Sequence, residues 1–267
     1  ATGVDGEPNR VQMYIFPANQ AIVDRDGTLD NDILFHEHGH GLSTRLHRGL
    51  TGLQPRSMGE GWSDFVGIVL NARPGDDPEA NYCVGGYATY GFPSGAFFDN
   101  YYFGIRRFPY STNMEVNPQT FADADEGQQS YPANIPRSPI IGNSATSVHN
   151  MGEIWCNTLM EGRAAMMRAY GFPGNMAMLQ LVVDGMKLVN TSTPTMLNER
   201  TAILQADLAN NGGANQLLLW RAFARRGMGS SAVSTNSNST VGIVESFEVP
   251  QRVNFTYPDP LPTQLYP

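Results

Sequence analysis

Lysine is almost missing from this chain: Lys187 stands alone against 16 arginines, and the formal net charge is −8. With a pI near 5.0 and no basic run anywhere, no nucleic-acid partner is expected. Long apolar runs are missing as well. None reaches the ~18 residues of a membrane-spanning helix, so no membrane partner is expected either. Cysteine occurs only at Cys83 and Cys156, too few for a disulfide framework. The two could form one bridge in an oxidising compartment, or be two small buried residues, which suits the helix-like run around Cys156. The start at Ala1 lacks a basic-then-apolar leader, so any signal segment is expected to have been removed. With 41% hydrophobic and 16% charged residues over 267 positions, the chain can bury a sizeable core.

What the chain does contain is a metal-binding pattern. In His36-Glu37-His38-Gly39-His40, a helix would place His36 and His40 four residues apart on one face. Both then reach one Zn²⁺, with Glu37 one step around as the base for a water there. Ile33, Leu34, Leu42 and Leu46 recur at near-helical spacing, and Asn31 or Asp32 is placed to cap the helix. Twenty residues after His40, Glu60-Gly61-Trp62-Ser63-Asp64 supplies a carboxylate suited to complete a His₂Glu site with an open fourth position. Residues 58–70 read as a second helix, which puts Asp64 one turn from Glu60. From there it can accept the other ring N–H of a ligating histidine, His36 by spacing. In the structural alternative these are helix polars and an acidic face, but two imidazoles and several carboxylates buried without a cation would be costly. The spacing HExxHxxGxxH of another zinc class fails, because Ser43 and Leu46 stand at its last two defined positions.

Hydrolysis develops negative charge on the former carbonyl oxygen, and a donor must meet it. His149, opening a helix after a loop, is the candidate; a purely structural polar role is equally compatible with its position. Arg106, Arg107 and Tyr110 are candidates for a second donor. Calcium is a further possibility: Asp24, Asp26, Asp30 and Asp32, then Asp76, Asp77, Glu79, Asp123, Asp125 and Glu126, form oxygen-rich stretches that either brace loops through Ca²⁺ or are solvated turns. Sequons begin at Asn190, Asn238 and Asn254 and hint at a secretory, glycosylated product.

Along the chain, residues 11–16 alternate like a strand, and residues 75–139 lack any sustained period. A segment that long reads as a functional or metal-braced loop region. Residues 151–170, 175–189, 194–209 and 214–226 read as helices separated by Gly, Pro or Asn. The methionines at 160, 166, 167, 176, 178 and 186 read as packing filler. A strand pair is expected within 241–255. The organisation expected is residues 1–70 carrying the two zinc helices, 71–148 lining a cleft, and 149–267 forming a helical lobe and tail.

Several blocks resemble the fungalysins, secreted metalloendopeptidases of the thermolysin-like gluzincin group. The run from Asp26-Gly27 through His36-Glu37 and Gly39-His40 to Arg45-Leu46 is similar to their zinc helix. Met58 to Phe65 is similar to their third-ligand helix, and Gly104 to Met114 to a further block. Val148-His149 with Gly152-Glu153-Ile154-Trp155 is similar to the segment bearing their transition-state histidine, and the likeness extends to Ala222–Gly229. The resemblance implies an α+β thermolysin-like zincin, with a mixed α/β N-terminal lobe, here a remnant, and a predominantly helical C-terminal lobe. It implies one catalytic zinc on His36, His40 and Glu60, Glu37 and His149 as catalytic groups, Asp64 in support, and protein or peptide substrates. It also implies secretion as a precursor with an inhibitory propeptide and a preference for hydrophobic residues after the scissile bond. Two departures stand out. His38 replaces the family's usual Tyr, and much of the N-terminal lobe's sheet has no counterpart, which leaves three alternatives: a processed form, a fragment of a longer subunit, or a partner of a separate N-terminal lobe or propeptide chain. The rival readings are a gluzincin hydrolase of short peptides and a non-catalytic, zinc-containing subunit.

Overall fold

The computed structural model describes residues 8, 10–18, 23–91, 101–139 and 141–250. Two short strands, β1 (Ile15–Phe16) and β2 (Arg25–Asp26), pair antiparallel with Ile15 opposite Asp26. Six helices follow: α1 (Asn31–Leu46), α2 (Leu53–Asn71), α3 (Val148–Tyr170), α4 (Pro173–Leu188), α5 (Met196–Asn211) and α6 (Gln216–Arg225). The architecture is α+β and mostly helical, and among the described residues no helix is long and apolar enough to cross a membrane.

Local chemistry sets the helix ends. Asp30, not Asn31 or Asp32, caps α1: its extended backbone frees the carboxylate to accept the Asp32 N–H at 3.0 Å. The Asp32 carboxylate instead reaches across to Asn71 Nδ2 at 2.7 Å and the Gly85 N–H at 3.2 Å. Helix α2 begins five residues before the expected 58, running through Pro55. Proline is tolerated there because the first turn has no intrahelical partner for its N–H. Gly52, at φ 106°, makes the preceding bend that a side chain would resist.

Glycines decide how closely the three central helices approach. A Cβ on Gly39 of α1 would lie 2.7 Å from Ser63 Cα of α2, and one on Gly61 of α2 only 2.4 Å from the Gly152 carbonyl oxygen of α3. Around these contacts lies one buried core, in which Trp62 meets Trp155 edge-to-face at 5.9 Å beside Phe65, Met151, Leu159 and Phe223. Five of the six methionines named from sequence are buried, four of them in this core, whereas Met176 is 48% exposed.

Residues 75–91 and 101–139 are irregular but not loose. Tyr82 and Tyr110 form an isolated bridge, a short 3₁₀ turn spans Phe121–Ala124, and Phe108, Tyr110 and Phe121 are fully buried. In the 241–250 part of the tail only single bridges occur, Met228 with Ser246 and Val233 with Val244. The rest of that expected strand pair, with the Asn254 sequon, lies outside the described residues. Similarly, only Ile15–Phe16 of the expected strand 11–16 is paired. Cys83 and Cys156 are not bonded to each other, which removes the bridge alternative.

Candidate metal centre

Helix α1 presents His36 and His40 on one face, and α2 crosses it with Glu60 opposite. His36 Nε2 and His40 Nε2 lie 3.1 Å apart, His36 Nε2 is 3.3 Å from Glu60 Oε2, and His40 Nε2 is 3.6 Å from Glu60 Oε1. Donors bound to one ion at zinc-like lengths of ~2.0–2.2 Å in a tetrahedron are separated by roughly 3.3–3.6 Å. The three donor groups fit. Glu60 Oε2 is buried without a hydrogen-bond partner, and an orphaned carboxylate oxygen facing two imidazoles calls for a cation. Among the described residues this is the one group of three or more such side chains whose ligand atoms gather within 4.8 Å.

Asp64, one turn after Glu60, takes up the far side of His36: its Oδ1 lies 2.7 Å from His36 Nδ1. That bond leaves the lone pair on Nε2, facing Glu60. Arg106 then grips Asp64 through Nε at 2.6 Å and a terminal nitrogen at 2.8 Å, and the Tyr110 hydroxyl donates to the same carboxylate. Asp64 and Arg106 are 1% and 3% exposed, so each charge depends on the other.

The electrostatics describe a cluster that seeks positive charge. Burial works against a charged His36, but the hydrogen bond to Asp64, followed by Glu60, carries its pKa up to about 9. Burial would raise Glu60, yet the close approach of His36 and the charges of His40, His36 and His149 hold it down to about 2. Asp64, despite burial, is held well below the carboxylate range by Arg106 and His36. His40 is lowered, by burial and then by His36. Two imidazoles aimed at each other cannot both carry protons comfortably. One cation between them serves both.

Glu37 and His149 complete the constellation. Glu37, His36, Arg106 and His149 line a pocket of about 120 Å³ with Gln12, Met13, Tyr14 and Phe16. His149 sits in the first turn of α3, 57% exposed, with Nε2 3.4 Å from Glu60 Oε2. His38 points outward, its Nδ1 bonded to the Leu34 carbonyl at 2.8 Å.

The description of the fungalysin metallopeptidase (M36) family matches residues 1–232. The chain belongs to this family. It is 34% identical to an extracellular metalloproteinase, MEP, of Neosartorya fischeri over 95% of this chain and 38% of that protein. To an extracellular metalloproteinase of Pyrenophora tritici-repentis it is 36% identical, over 95% and 37%. Extracellular metalloproteinase 4 of Trichophyton soudanense is 34% identical over 90% of this chain and 59% of that protein. This fungalysin chain thus spans under two fifths of the first two relatives and under two thirds of the third.

Other sequence expectations for the fungalysin chain change. Of the proposed second donors, Tyr110 is committed to Asp64, and Arg107 faces away, bonding the Glu153 carboxylate at 2.8 Å and the Asn150 carbonyl at 2.7 Å. Arg106 alone also lines the pocket. Several carboxylates of the oxygen-rich stretches considered for calcium accept nearby backbone N–H groups: Asp26 accepts Thr28 N–H, Asp77 accepts Glu79 N–H, Asp123 accepts Thr120 and Ser130 N–H, and Asp125 accepts Gly127 N–H. His47 bonds the Ser43 carbonyl and Glu199 and stacks on Trp62 at 5.0 Å, a packing role far from the pocket. The spacers Gly39, Gly61 and Gly152 were unread in the sequence, although glycine inside an apolar helix next to a motif residue is a signal for close approach. A larger cavity of about 710 Å³ between α3 and α6 shares none of these groups.

Proposed function

We propose that this chain carries the catalytic centre of a secreted zinc endopeptidase, with His36, His40 and Glu60 as metal ligands. The observation that carries the reading is the convergence of two imidazole Nε2 atoms on Glu60, one of whose oxygens is buried and unpartnered. A zinc bound there would polarise the scissile carbonyl and make a water acidic enough to deprotonate near neutral pH. Glu37, at the pocket's edge, takes the proton of the attacking water and passes it to the leaving amine. His149 donates to the oxygen that gains negative charge, from a helix start whose free N–H groups reinforce it. Asp64 keeps His36 in one tautomer, and Arg106 with Tyr110 keeps Asp64 in place.

Gln12–Phe16, lining the pocket together with Glu37, supports an extended peptide as substrate. Tyr14, Ile15, Val23 and Leu29 around this small sheet are 58–81% exposed, which supports cover by a further lobe or propeptide. The extracellular naming of the relatives supports secretion. Digestion of denatured casein, with the cuts located by mass and the metal content measured, tests the reading. Internal cuts that vanish with chelation and return with zinc are expected. One tightly bound zinc without cleavage would leave a non-catalytic subunit, and cuts confined to short peptides would leave the narrower hydrolase.

A further inference from the structure

Next to His149 lies a second pocket, of about 390 Å³, with Ile105, Ile141, Asn143 and Ser147 in its walls. Its outer wall is the stretch 141–147, which has no regular secondary structure before α3. One side chain holds that wall. Asn150 is 3% exposed, and its carboxamide nitrogen donates to the Gly142 carbonyl at 2.8 Å and the Ser144 carbonyl at 2.9 Å. Both amide hydrogens are used on the wall. The Asn150 backbone is itself fixed from behind, because its carbonyl accepts from Arg107, whose Nε is paired with Glu153. The pocket's far wall, Ile105-Arg106, belongs to the same short run as Arg107.

We propose that Asn150 is a positioning residue for substrate selectivity. By pinning Gly142 and Ser144 it holds the pocket beside His149 open in the shape that receives an uncharged, largely apolar side chain of the substrate. This rests on the peptidase reading above. The walls suit that class: isoleucines supply the apolar surface, and Asn143 and Ser147 are neutral. Both ionisable groups in the wall are already engaged, Arg106 with Asp64 and His149 3.4 Å from Glu60, so neither is left to compensate a buried ionic side chain.

The experiment compares the zinc-loaded chain with Asn150→Asp, nearly isosteric but unable to donate to the two carbonyls, and with Asn150→Ser should the first fold poorly. Both are assayed on a peptide series varied from glycine to leucine to aspartate at each position flanking the cut. At one position the parent should prefer leucine over glycine about tenfold in kcat/KM, the scale of a partly filled apolar pocket. In the variants that preference should fall below about twofold through KM, with kcat within about threefold, zinc content equal and faster amide exchange at 141–147. An intact preference despite faster loop exchange would overturn the proposal, as would a uniform fall in kcat for every peptide. If the parent cleaves nothing, the peptidase reading fails separately. Asn150 is then judged by fluorescence anisotropy with the same peptides: about tenfold weaker leucine-peptide binding by the variants supports it, and equal binding overturns it.

Discussion

The paired helices α1 and α2 and the irregular residues 75–139 both build this site, by opposite means. The helices contribute the groups that face the metal position, and their spacing follows from 3.6 residues per turn. Among its described residues the irregular segment contributes no ligand. Instead it sends two consecutive arginines in two directions: Arg106 locks Asp64 behind His36, and Arg107 locks Glu153 and the Asn150 carbonyl behind His149. Regular structure presents the chemistry, and buried irregular structure holds its two halves at a fixed separation.

That contrast can be broken from either side. The largest effect is expected from the helical side: Glu37→Gln should lower peptide hydrolysis by roughly 10²–10⁴-fold while the zinc content stays at one per chain. Casein cleavage at the parental rate would remove Glu37 as the base. From the irregular side, Arg106→Met leaves the Asp64 carboxylate buried without its partner. Denaturant unfolding should show a loss of about 3–5 kcal/mol, and a loss under 1 kcal/mol would mean that the clamp is dispensable. Asp64→Asn keeps the shape but weakens the acceptor behind His36. Zinc affinity, measured by competition with a chelator, should fall roughly 10–100-fold. Gly61→Ala tests the helix crossing itself, since the new methyl meets the Gly152 carbonyl; about 1–3 kcal/mol of stability should go.

The remaining effect is a pH slope. Burial, only partly offset by the Thr120 and Ser130 N–H groups, pushes the Asp123 carboxyl in the irregular segment up to about 6. The folded protein therefore binds this proton more tightly than the unfolded chain, and its contribution is complete below pH ~4. It is lost as pH rises toward 6, by up to about 3 kcal/mol. Asp123→Asn should flatten that part of the stability profile, and an unchanged slope between pH 4 and 6 would show that Asp123 titrates as it does in water.

Legibility followed the same divide. The meeting of His36, His40, Glu60 and Asp64 was readable because helical periodicity converts sequence spacing into shared faces, and the 2.7 Å His36–Asp64 contact is where i,i+4 spacing on α2 pointed. The roles of Arg106, Arg107 and Tyr110 were not readable. Without a period, nothing in residues 75–139 says which arginine turns inward, and all three looked like equal donors. The acidic stretches were ambiguous for a related reason: the same aspartates that bind calcium also cap turns, and sequence spacing alone does not separate the two uses.

By itself, the amino-acid order determined which atoms can meet a metal from α1 and from α2, because side-chain direction along a helix is set locally by backbone geometry. Whether those two faces meet, and at what distance from His149, was decided by the tertiary structure. That outcome depends on missing Cβ atoms at Gly39, Gly61 and Gly152 and on buried arginine–carboxylate pairs formed across 42–46 residues of chain. Contacts of that range depend on how the whole core closes, which no local pattern encodes.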